Sequence, residues 1–563
     1  MKVIIVGGVA GGATAAARIR RLDEHAEITV FERSGYISYA NCGLPYYIGD
    51  VITDPEELTL QTPESFFKRF RINMKIHHEV ISIHPERKTV SVKNLENGEI
   101  FEENYDKLIL SPGAKPTQPR LPGVGMDKLF TLRTVEDTFR IKEYINKNHP
   151  KSAVLAGGGF IGLELAENLR ELGMDVTIVQ RPKQLMNPFD PDMASMIHNE
   201  MRKHGIKLVL GYTVEGFKEK DNGVEVLLKD NPSLQADMVV LAIGVTPDTV
   251  LAKEAGLELG IKESIVVNDR METSVPDIYA AGDAVQVKHY VTGNDALISL
   301  AGPANKQGRI IADNICGGDS RYLGSQGSSV IKVFDMTAAT TGINETNAKK
   351  SGLDVDTVIL SPMSHAGYYP GGKVMTMKVV FEKETYRLLG AQIIGYEGVD
   401  KRIDVLATAI HAGLNATQLK DLDLAYAPPY SSAKDPVNMA GFMIDNIAKG
   451  TLKQWHLEDM DKISKDKDVE LLDVRTVGEF SRGHIDGFKN IPVDELRERI
   501  SEIEKGKPVY LICQSGLRSY IASRILEGNG YETYNFSGGF RFYDAVVNDR
   551  ALIERAYACG MDY

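Results

Sequence analysis

The chain has 563 residues, of which 43% are hydrophobic and 25% charged, and its formal net charge is -12 at pH 7. This length predicts several domains of ordinary soluble composition, and the acidic balance argues against general nucleic-acid binding. The four scattered cysteines, Cys42, Cys316, Cys513 and Cys559, have neither a disulfide framework nor a metal-ligand spacing. We therefore expect a cytoplasmic protein without a metal, and no apolar run is long enough to predict a membrane span.

The first predicted element is a buried parallel strand, Lys2–Val6, which leads through a glycine-rich turn into a helix over Ala13–Arg21. Glu32 ends the next strand, Glu27–Phe31, about 20 residues past the turn, where a carboxylate can bind an adenosine ribose. This pattern predicts a dinucleotide site. Val9 replaces the middle glycine of the usual fingerprint, so a glycine-rich turn without a ligand is the alternative.

A single cysteine, Cys42, lies in the stretch Ser38–Tyr46 that follows. Its position just before Leu44-Pro45 allows it to open a short helix, whose N-terminal amides and positive dipole end favour a thiolate. The alternative is a buried structural cysteine, which is the commoner role of an isolated cysteine. We take Cys42 as the candidate reactive residue.

A second dinucleotide pattern begins at Ala153–Leu155 and continues into a helix predicted to run through Leu172. The next strand, Val176–Val179, is followed by Gln180 and Arg181. An acidic residue there would indicate NADH, whereas an arginine can bind the additional phosphate of NADPH, so this pair leaves the choice open. The residues predicted to bind NADH or NADPH are Gly157, Gly159, Gly162 and Gln180.

Three further segments, Leu110–Pro116, Leu241–Pro247 and Ile278–Ala284, complete an ordered set of motifs. With them, residues 1 to about 445 resemble the pyridine-nucleotide disulfide oxidoreductase family. The resemblance implies an α/β fold with two Rossmann-like domains for FAD and NAD(P), and an α+β dimerisation domain. In that pattern Asp283 accepts a hydrogen bond from the ribityl chain of FAD. The FAD-binding residues implied are Gly7, Gly8, Gly11, Gly12, Glu32, Arg33, Pro112, Gly113, Gly282 and Asp283.

Departures from the pattern indicate the branch of the family. Tyr47 stands where glutathione-reductase-like members have a second cysteine, and Ala10 stands where NADH oxidases and peroxidases have a histidine. The stretch Ser38–Tyr46 instead resembles that of CoA-disulfide reductases, in which the lone cysteine forms a mixed disulfide with coenzyme A. An NADH oxidase or peroxidase remains an alternative function.

The same resemblance implies a site for coenzyme A. Arg18 and Arg21 are three residues apart on a predicted helix and share a face, so that both could contact the CoA phosphates. A solvated helix end, where arginine is favoured by the dipole, is the alternative. The CoA-binding residues implied are Arg18, Arg21, Ser38, Asn41, Gln61, Thr62, Lys68, Arg71 and Lys434.

From about residue 325 the pattern becomes typical of a dimerisation domain. Two tyrosine-rich loops, His365–Pro370 and Leu424–Tyr430, look like segments that reach the partner subunit's active site. By resemblance, Tyr368 and Tyr426 would direct their hydroxyls at Cys42 or its substrate, with Tyr369 as the alternative to Tyr368. Aromatic packing at an interface would also explain them. The predicted elements are the strands Ser329–Phe334, Val374–Phe381 and Leu388–Ile394 and a helix over Ile403–Ala412.

A polar segment, Met460–Asp468, precedes a final group of motifs: Val469–Arg475, Glu479-Phe480, Gly483-His484-Ile485 and Asn490-Ile491-Pro492. These resemble the rhodanese family. The resemblance implies a C-terminal α/β domain that handles sulfane sulfur. A non-catalytic sulfur carrier or a persulfide-sensing module is the alternative for this domain.

The reactive residue of this domain is predicted to be Cys513, which follows a buried strand, Val509–Ile512. The tight loop after it, through Arg518, turns backbone N–H groups towards the sulfur as an anion nest, which lowers the thiol pKa. Arg518 adds fixed positive charge. Phosphatase relatives have a loop longer by one residue, so this loop favours a sulfane-sulfur substrate.

The motifs together predict an FAD-dependent NAD(P)H reductase of CoA persulfide, polysulfide or CoA disulfide, with a fused sulfurtransferase domain. The protein is expected to be a homodimer whose active sites are completed by the partner subunit, with coenzyme A as substrate or bound cofactor. The predicted domains are an FAD-binding domain over 1-113 and 243-323, an NAD(P)-binding domain over 114-242, a dimerisation domain over 324-446, a linker over 447-463 and a rhodanese-like domain over 464-563.

Overall fold

The computed structural model describes residues 1–220 and 223–559, and the chain forms two compact units. The first unit contains Met1–Pro182 and Gly205–Gly327, and the second contains Lys183–His204 and the chain from Ser328 onward. The side chain of Cys559, a residue without an assigned role, lies outside the described part. Among the described residues, no helix has both the length and the apolar composition required to cross a membrane.

Two parallel five-stranded sheets form the framework of the first unit. Val3, Ile4 and Ile5 are fully buried, because a parallel strand that is covered on both faces needs apolar residues at successive positions. The first sheet has the spatial order Ile278–Ala280, Lys107–Leu110, Lys2–Val6, Glu27–Phe31 and Asn73–Lys75. The second has the order Leu129–Thr131, Met238–Leu241, Ser152–Ala156, Asp175–Gln180 and Lys207–Leu210.

Helices and small antiparallel sheets complete this unit. The α-helices are Ala10–Leu22, Leu44–Ile48, Pro63–Phe70, Val135–Asn148, Phe160–Glu171, Val250–Glu254 and Ala301–Ile315. The three-stranded sheets are His78–His84, Thr89–Asn94 and Ile100–Asn104, and Val214–Lys220, Gly223–Leu228 and Asn231–Ala236. The strand pairs are Ile37–Tyr39 with Thr59–Gln61, Ala114–Pro116 with Val245–Pro247, and Val287–Lys288 with Asp295–Ala296.

The first helix begins at Ala10, three residues before the start that the sequence predicted. The glycines at 11 and 12 therefore belong to the helix and not to the turn. An added Cβ at Gly12 would lie 2.0 Å from the carbonyl oxygen of Gly7. The glycine is needed because the helix passes very close to the turn that precedes it.

The second unit has an antiparallel five-stranded sheet that is covered by a helix, Val399–His411. Val399, Ile403, Leu406 and Ile410 of this helix are buried, which is the spacing of one helix face. The strands, in spatial order, are Ser329–Val333, Met336–Gly342, Leu388–Gly395, Thr376–Glu382 and Val355–Leu360. The other helices here are Pro191–Lys203, Glu345–Lys350 and Pro436–Ala448.

The helix Pro191–Lys203 lies in the second unit, although its sequence falls inside the predicted NAD(P) domain. Buried Lys378 partly explains why this helix packs in the second unit. Its ammonium group lies 3.2 Å from Asp190, 2.8 Å from Asp192 and 2.7 Å from Glu345. A buried charge requires such partners, and the partners come from chain segments that sequence spacing does not connect.

A parallel sheet forms the C-terminal part of the second unit. Its strands, in spatial order, are Gln454–Trp455, Thr533–Phe536, Val509–Ile512, Glu470–Asp473 and Lys489–Asn490. The helices are Met460–Ile463, Val477–Arg482, Leu517–Glu527 and Gly539–Cys559. Trp455 falls within the predicted linker, yet its buried indole N–H donates to the Leu511 carbonyl at 3.3 Å. The sheet therefore begins earlier than residue 464.

Candidate active sites

The first glycine turn packs closely against the backbone at Ser111. Gly7 has φ +96°, and an added Cβ would lie 2.1 Å from the carbonyl oxygen of Ser111. The buried carboxylate of Glu32 accepts hydrogen bonds from Gly8 N and Ser34 N, both at 2.9 Å. The backbone thus fixes the carboxylate beside the turn, where an adenosine ribose is bound in such folds.

The predicted flavin residues Gly282 and Asp283 lie at the end of a strand of the first sheet. Gly282 has φ +81°, and its N–H donates to Gln307 at 2.8 Å. Asp283 accepts a hydrogen bond of 2.6 Å from Arg133, which also donates to the Ala114 carbonyl at 3.1 Å. Arg133 was not identified from the sequence, because it lies outside every motif.

Arg33 and the glycine at 113 are further predicted FAD-binding positions. Arg33 forms an ion pair of 2.9 Å with Asp248, so its guanidinium already has a carboxylate partner. Gly113, which follows Pro112, has φ +72°, a conformation that only glycine adopts readily.

The second glycine turn reproduces the first with one chemical change. Gly157 has φ +120°, and an added Cβ would lie 2.2 Å from the Ala242 carbonyl oxygen. An added Cβ at Gly162 would likewise lie 2.1 Å from the carbonyl oxygen of Gly157. The side-chain oxygen of Gln180 accepts from Gly158 N at 3.1 Å, as Glu32 does in the first turn, but it carries no negative charge.

Cys42 lies in a 3₁₀ turn, Asn41–Gly43, directly before the short helix Leu44–Ile48. The predicted helix is therefore present, but the net effect on the thiol is opposite to the one expected. Although part of Cys42 faces solvent, partial burial raises the pKa of its thiol, and the Glu164 and Asp283 carboxylates raise it further while Arg133 lowers it. Burial and the two carboxylates together raise the pKa of the thiol more than Arg133 lowers it.

Glu164 is the ionisable neighbour of Cys42 that sequence reasoning missed. Burial and the like charge of Glu167 raise its pKa to about 7, opposed by a hydrogen bond with the Tyr46 hydroxyl. Burial, followed by the charge of Glu164, raises the pKa of Tyr46 to about 12. The position of Glu164 two residues after the last glycine of the second turn was the available signal.

The short helix after Cys42 is fixed from two sides. An added Cβ at Gly49 would lie 2.1 Å from the Asn168 side-chain oxygen, so the end of this helix lies against the helix that carries Glu164. Lys142 donates to the carbonyl of Ile48 at 3.0 Å. These contacts hold Cys42 and Glu164 in one rigid arrangement.

Several of the predicted CoA-binding residues lie in the same region of the first unit. Ser38 and Gln61 lie on paired strands, with Ile37 opposite Gln61. Thr62 caps the helix Pro63–Phe70, which carries Lys68 and ends at Arg71. Asn41 is half-buried next to Cys42, and Arg21 and Lys68 are exposed. Arg18 instead forms an ion pair of 2.8 Å with Asp313. Its positive charge is therefore already paired with a carboxylate.

The two tyrosine-rich loops meet in the second unit. The hydroxyls of Tyr368 and Tyr426 are 2.6 Å apart, and the two residues are 76% and 45% exposed. The hydrogen bond with Tyr368 raises the pKa of Tyr426. Tyr369 packs its ring against His365 instead. This arrangement makes Tyr368 the better partner of Tyr426.

A buried arginine holds these loops in place. Arg402 donates to the Ser364 carbonyl at 2.9 Å in the first loop region and to the Ser431 hydroxyl at 3.1 Å in the second. It also pairs with Asp435 at 3.0 Å. Lys434, a predicted CoA residue, is exposed beside this anchor.

Cys513 ends a strand of the C-terminal sheet and is fully buried. Its sulfur accepts hydrogen bonds from Gly516 N at 3.1 Å and from the Ser519 hydroxyl at 3.2 Å. Gly516 has φ +95°, which turns its N–H back towards the sulfur. Of the backbone N–H groups predicted to form the nest, that of Gly516 donates to Cys513, and Ser519 is an additional donor to which the sequence had assigned no role.

The positive charge expected from Arg518 is balanced by a carboxylate. Glu479 accepts two hydrogen bonds from the Arg518 guanidinium, both 2.7 Å long. Arg475 is similarly bound to Asp473, at 2.7 and 2.9 Å. Cys316, to which no role was assigned, is half-buried, and burial raises the pKa of its thiol.

Comparison with known proteins identifies the family to which this chain belongs. The model of the pyridine nucleotide-disulphide oxidoreductase family matches residues 1–308, and the model of its dimerisation domain matches residues 328–436. The chain belongs to this family. A rhodanese-like domain matches residues 456–545. The predicted family and the predicted fold class are confirmed.

Similar members of the pyridine nucleotide-disulphide oxidoreductase family include proteins named for sulfur chemistry. A coenzyme A disulfide reductase of Staphylococcus aureus is 38% identical over 78% of this chain and 99% of its own. The reduced CoADR-RHD of Bacillus anthracis has a TM-score of 0.95 and 48% identity, covering 98% of each chain. The NAD-dependent persulfide reductase from A. fulgidus has a TM-score of 0.90 and 38% identity, covering 96% of this chain and 100% of that one.

Membership of the pyridine nucleotide-disulphide oxidoreductase family implies FAD and NAD(P)H as cofactors, and the dimerisation domain suggests a homodimer. The residues of this chain fit both nucleotides. Each turn has glycines at which a Cβ would collide with the protein's own backbone, so the turn keeps a tight conformation, and each has an oxygen acceptor, Glu32 or Gln180, fixed beside it. The first turn and Asp283 would hold FAD, and the second turn would hold NAD(P)H.

Proposed function

We propose that the chain is an NAD(P)H-dependent flavin reductase of CoA persulfide, polysulfide or CoA disulfide, with Cys42 as its redox residue and a rhodanese-like domain that supplies sulfane sulfur. The observation that carries this proposal is the presence of two different sulfur sites on one chain. Cys42 lies near the predicted flavin residue Asp283, and Cys513 lies in a sulfur-binding loop. The names of the three similar proteins support the same chemistry.

In the proposed reaction the Cys42 thiolate attacks the sulfur–sulfur bond of the substrate. With CoA persulfide, the bond between its two sulfurs breaks, and hydrosulfide or the CoA thiolate leaves, depending on which sulfur is attacked. Bound FAD supplies the redox chemistry, relaying two electrons from NAD(P)H to sulfur. The overall balance is CoA persulfide plus NAD(P)H plus a proton, giving CoA, hydrogen sulfide and NAD(P)⁺.

Residues of this chain would control charge and protons around Cys42. Arg133 lowers the pKa of the thiol, against partial burial and the carboxylates of Glu164 and Asp283. The partner subunit's Tyr426, hydrogen bonded to Tyr368 as in this chain, would supply a proton to the leaving sulfur. A homodimer in which each subunit completes the other's site follows from this assignment.

The proposed CoA site combines the predicted residues near Cys42. Asn41 and the strand pair that carries Ser38 and Gln61 would contact the pantetheine arm. Exposed Arg21, Lys68 and Arg71 would meet the phosphates. Arg18 would join them only by giving up or sharing its ion pair with Asp313.

In the rhodanese-like domain, Cys513 would accept the sulfane sulfur. Donors from Gly516 N and the Ser519 hydroxyl can stabilise either its thiolate or a terminal persulfide anion. The domain would then pass the sulfur to a thiol acceptor. This makes Cys513 catalytic and gives the fused domain a role in the reductase reaction.

Anaerobic oxidation of NADH and NADPH tests the proposal, with CoA disulfide, CoA persulfide and polysulfide as separate acceptors and with sulfide and CoA quantified. We expect rapid sulfide formation from the persulfide acceptors, one sulfide per NAD(P)H. A strong preference for CoA disulfide would narrow the function to thiol redox balance. Turnover with oxygen or peroxide and none with sulfur acceptors would overturn the proposal in favour of an oxidase or peroxidase.

A further inference from the structure

Two arginines lie at the Cys513 loop, Arg518 within it and Arg475 beside Gln514, and each is bound by a carboxylate. The guanidinium of Arg518 donates two hydrogen bonds of 2.7 Å to the carboxylate of Glu479. Arg475 is buried and donates to Asp473, to the Gly483 carbonyl at 2.8 Å and to the Gln514 side chain at 3.4 Å. The hydrogen bond with Arg518 lowers the pKa of Glu479 to about 2, so this carboxylate is ionised at neutral pH. The two arginine charges around Cys513 are therefore balanced.

This charge balance distinguishes two classes of sulfur donor. Thiosulfate carries two negative charges, and Arg518 and Arg475 stabilise them less because each arginine is already paired with a carboxylate, so its approach is disfavoured. A thiol persulfide reacts as an electrophile in its protonated form, RSSH, in which the transferred sulfur carries no charge. The Cys513 thiolate attacks this outer sulfur, the donor's sulfur–sulfur bond breaks, and the electron pair leaves with RS⁻. The products are a Cys513 persulfide and the donor thiolate, so atoms and charge balance.

We propose that Glu479 determines donor specificity at Cys513: by holding Arg518 in an ion pair, it makes the loop select protonated thiol persulfides over thiosulfate. The inference rests on the proposed sulfurtransferase role of this domain. It assigns Glu479 a role in selectivity that is separate from the chemistry at the sulfur.

The residues flanking the ion pair fit an organic donor. Val477, two residues before Glu479, is 62% exposed, and Leu517, adjacent to Arg518, is 65% exposed. Exposed apolar side chains at such positions offer contact to the carbon chain of a thiol persulfide. An inorganic oxyanion would gain nothing from them.

The chain offers a clean way to remove the charge of Glu479. Glu479 is the third residue of the helix Val477–Arg482, and it closes a capping box by accepting from Thr476 N at 3.0 Å. Glutamine performs the same capping role as glutamate. Glu479→Gln should therefore keep the helix while removing the negative charge beside Arg518.

The test uses the full chain with Cys42→Ser, so that Cys513 is the sulfur acceptor of interest. The rate of persulfide formation on Cys513 is measured by peptide mass spectrometry, with thiosulfate and with 2-hydroxyethyl persulfide as separate donors. We expect Glu479→Gln to raise the thiosulfate rate about tenfold and to change the persulfide rate by less than about threefold. Glu532→Gln is the matched control, because this carboxylate pairs with Lys453 next to the opposite end of the Cys513 strand.

The outcomes separate the inference from the proposed function. If neither donor loads Cys513, the sulfurtransferase role itself is overturned. If both donors load it but Glu479→Gln leaves their ratio unchanged, sulfur transfer stands and the specificity role of Glu479 is wrong. A second measurement does not depend on the variant: thiosulfate loading Cys513 of the unaltered loop as fast as the persulfide would also contradict the inference.

Discussion

The two reactive cysteines of this chain have opposite surroundings. Cys513 is fully buried, and its sulfur accepts hydrogen bonds from Gly516 N and the Ser519 hydroxyl. Cys42 is partly exposed, and the pKa of its thiol is raised by partial burial and then by two carboxylates, Glu164 and Asp283. The Cys513 site has its donors within its own loop and the helix that follows. The reactivity of Cys42 depends on charges brought from elsewhere in the fold, including Arg133.

Replacing the reactive cysteines one at a time gives the largest expected effect, a loss of reductase activity for one of the two variants. Cys42→Ser should lower NAD(P)H oxidation by CoA disulfide by more than about a thousandfold, because the nucleophile is lost. FAD should remain bound, as judged by the visible absorption spectrum. Cys513→Ala is the matched control and should change this activity by less than about twofold. Comparable losses in both variants would show that the two sites do not act separately.

Removing the side-chain donor at Cys513 should have a smaller effect. A hydrogen bond to a charged group contributes about 1.5–3 kcal/mol, but the Ser519 hydroxyl shares its single proton with the Gly516 carbonyl at 3.0 Å. We therefore expect Ser519→Ala to slow persulfide formation on Cys513 by about tenfold, the lower end of that range. Single-turnover loading followed by peptide mass spectrometry measures this.

Ser523→Ala serves as the control for Ser519→Ala. Ser523 is also buried on the helix Leu517–Glu527, but its hydroxyl donates to the Tyr520 carbonyl at 2.7 Å. Slowing of equal size in both variants would mean that the loss reflects helix packing and not the contact with sulfur. CoA disulfide reduction at Cys42 should be unchanged in either variant.

The smallest predicted effect is a change in the pH dependence of Cys42. Glu164, with a pKa of about 7, is ionised above that pH, and its charge then raises the pKa of the Cys42 thiol. Glu164→Gln removes this effect, so alkylation of Cys42 should be about threefold faster at pH 8, because a larger fraction of the thiol is then ionised. At pH 5.5, where Glu164 is protonated in the unaltered chain, the two rates should agree.

Alkylation rates in the Cys513→Ala chain, read by peptide mass spectrometry from pH 5.5 to pH 9, check this prediction. Glu171→Gln is the control, because Glu171 is exposed at the end of the same helix. A rate difference that is independent of pH would contradict the role given to the Glu164 charge.

The difference between the two sites also explains what the sequence could predict. The Cys513 loop is one contiguous segment, so its sequence indicated both the nest and the nearby arginine. Glu479 was part of a neighbouring motif, but its pairing with Arg518 was not predicted. Around Cys42, the residues that set the thiol pKa are numbers 133, 164 and 283. Asp283 and Glu164 lie in or beside the nucleotide motifs, but the sequence does not show that they approach Cys42 or that Cys42 is partly buried. The net shift of the thiol pKa is therefore opposite to the one expected.

The same reasoning applies to the fold. The strands Lys2–Val6, Glu27–Phe31 and Val509–Ile512 agree with the sequence prediction residue for residue, because continuous apolar runs define buried parallel strands. The placement of the helix Pro191–Lys203 in the second unit depends in part on buried Lys378, which lies 186 positions from its partner Asp192 in the chain. Its packing could not be inferred from periodicity.

The central claim is that sulfur bound at Cys513 is finally reduced through Cys42. The most direct test loads Cys513 with isotopically labelled sulfane sulfur, adds CoA and NAD(P)H without oxygen, and measures labelled sulfide together with NAD(P)H consumed. We predict one labelled sulfide per NAD(P)H in the unaltered chain and no NAD(P)H-dependent labelled sulfide in Cys42→Ser. Undiminished NAD(P)H-dependent release from Cys42→Ser would contradict the account.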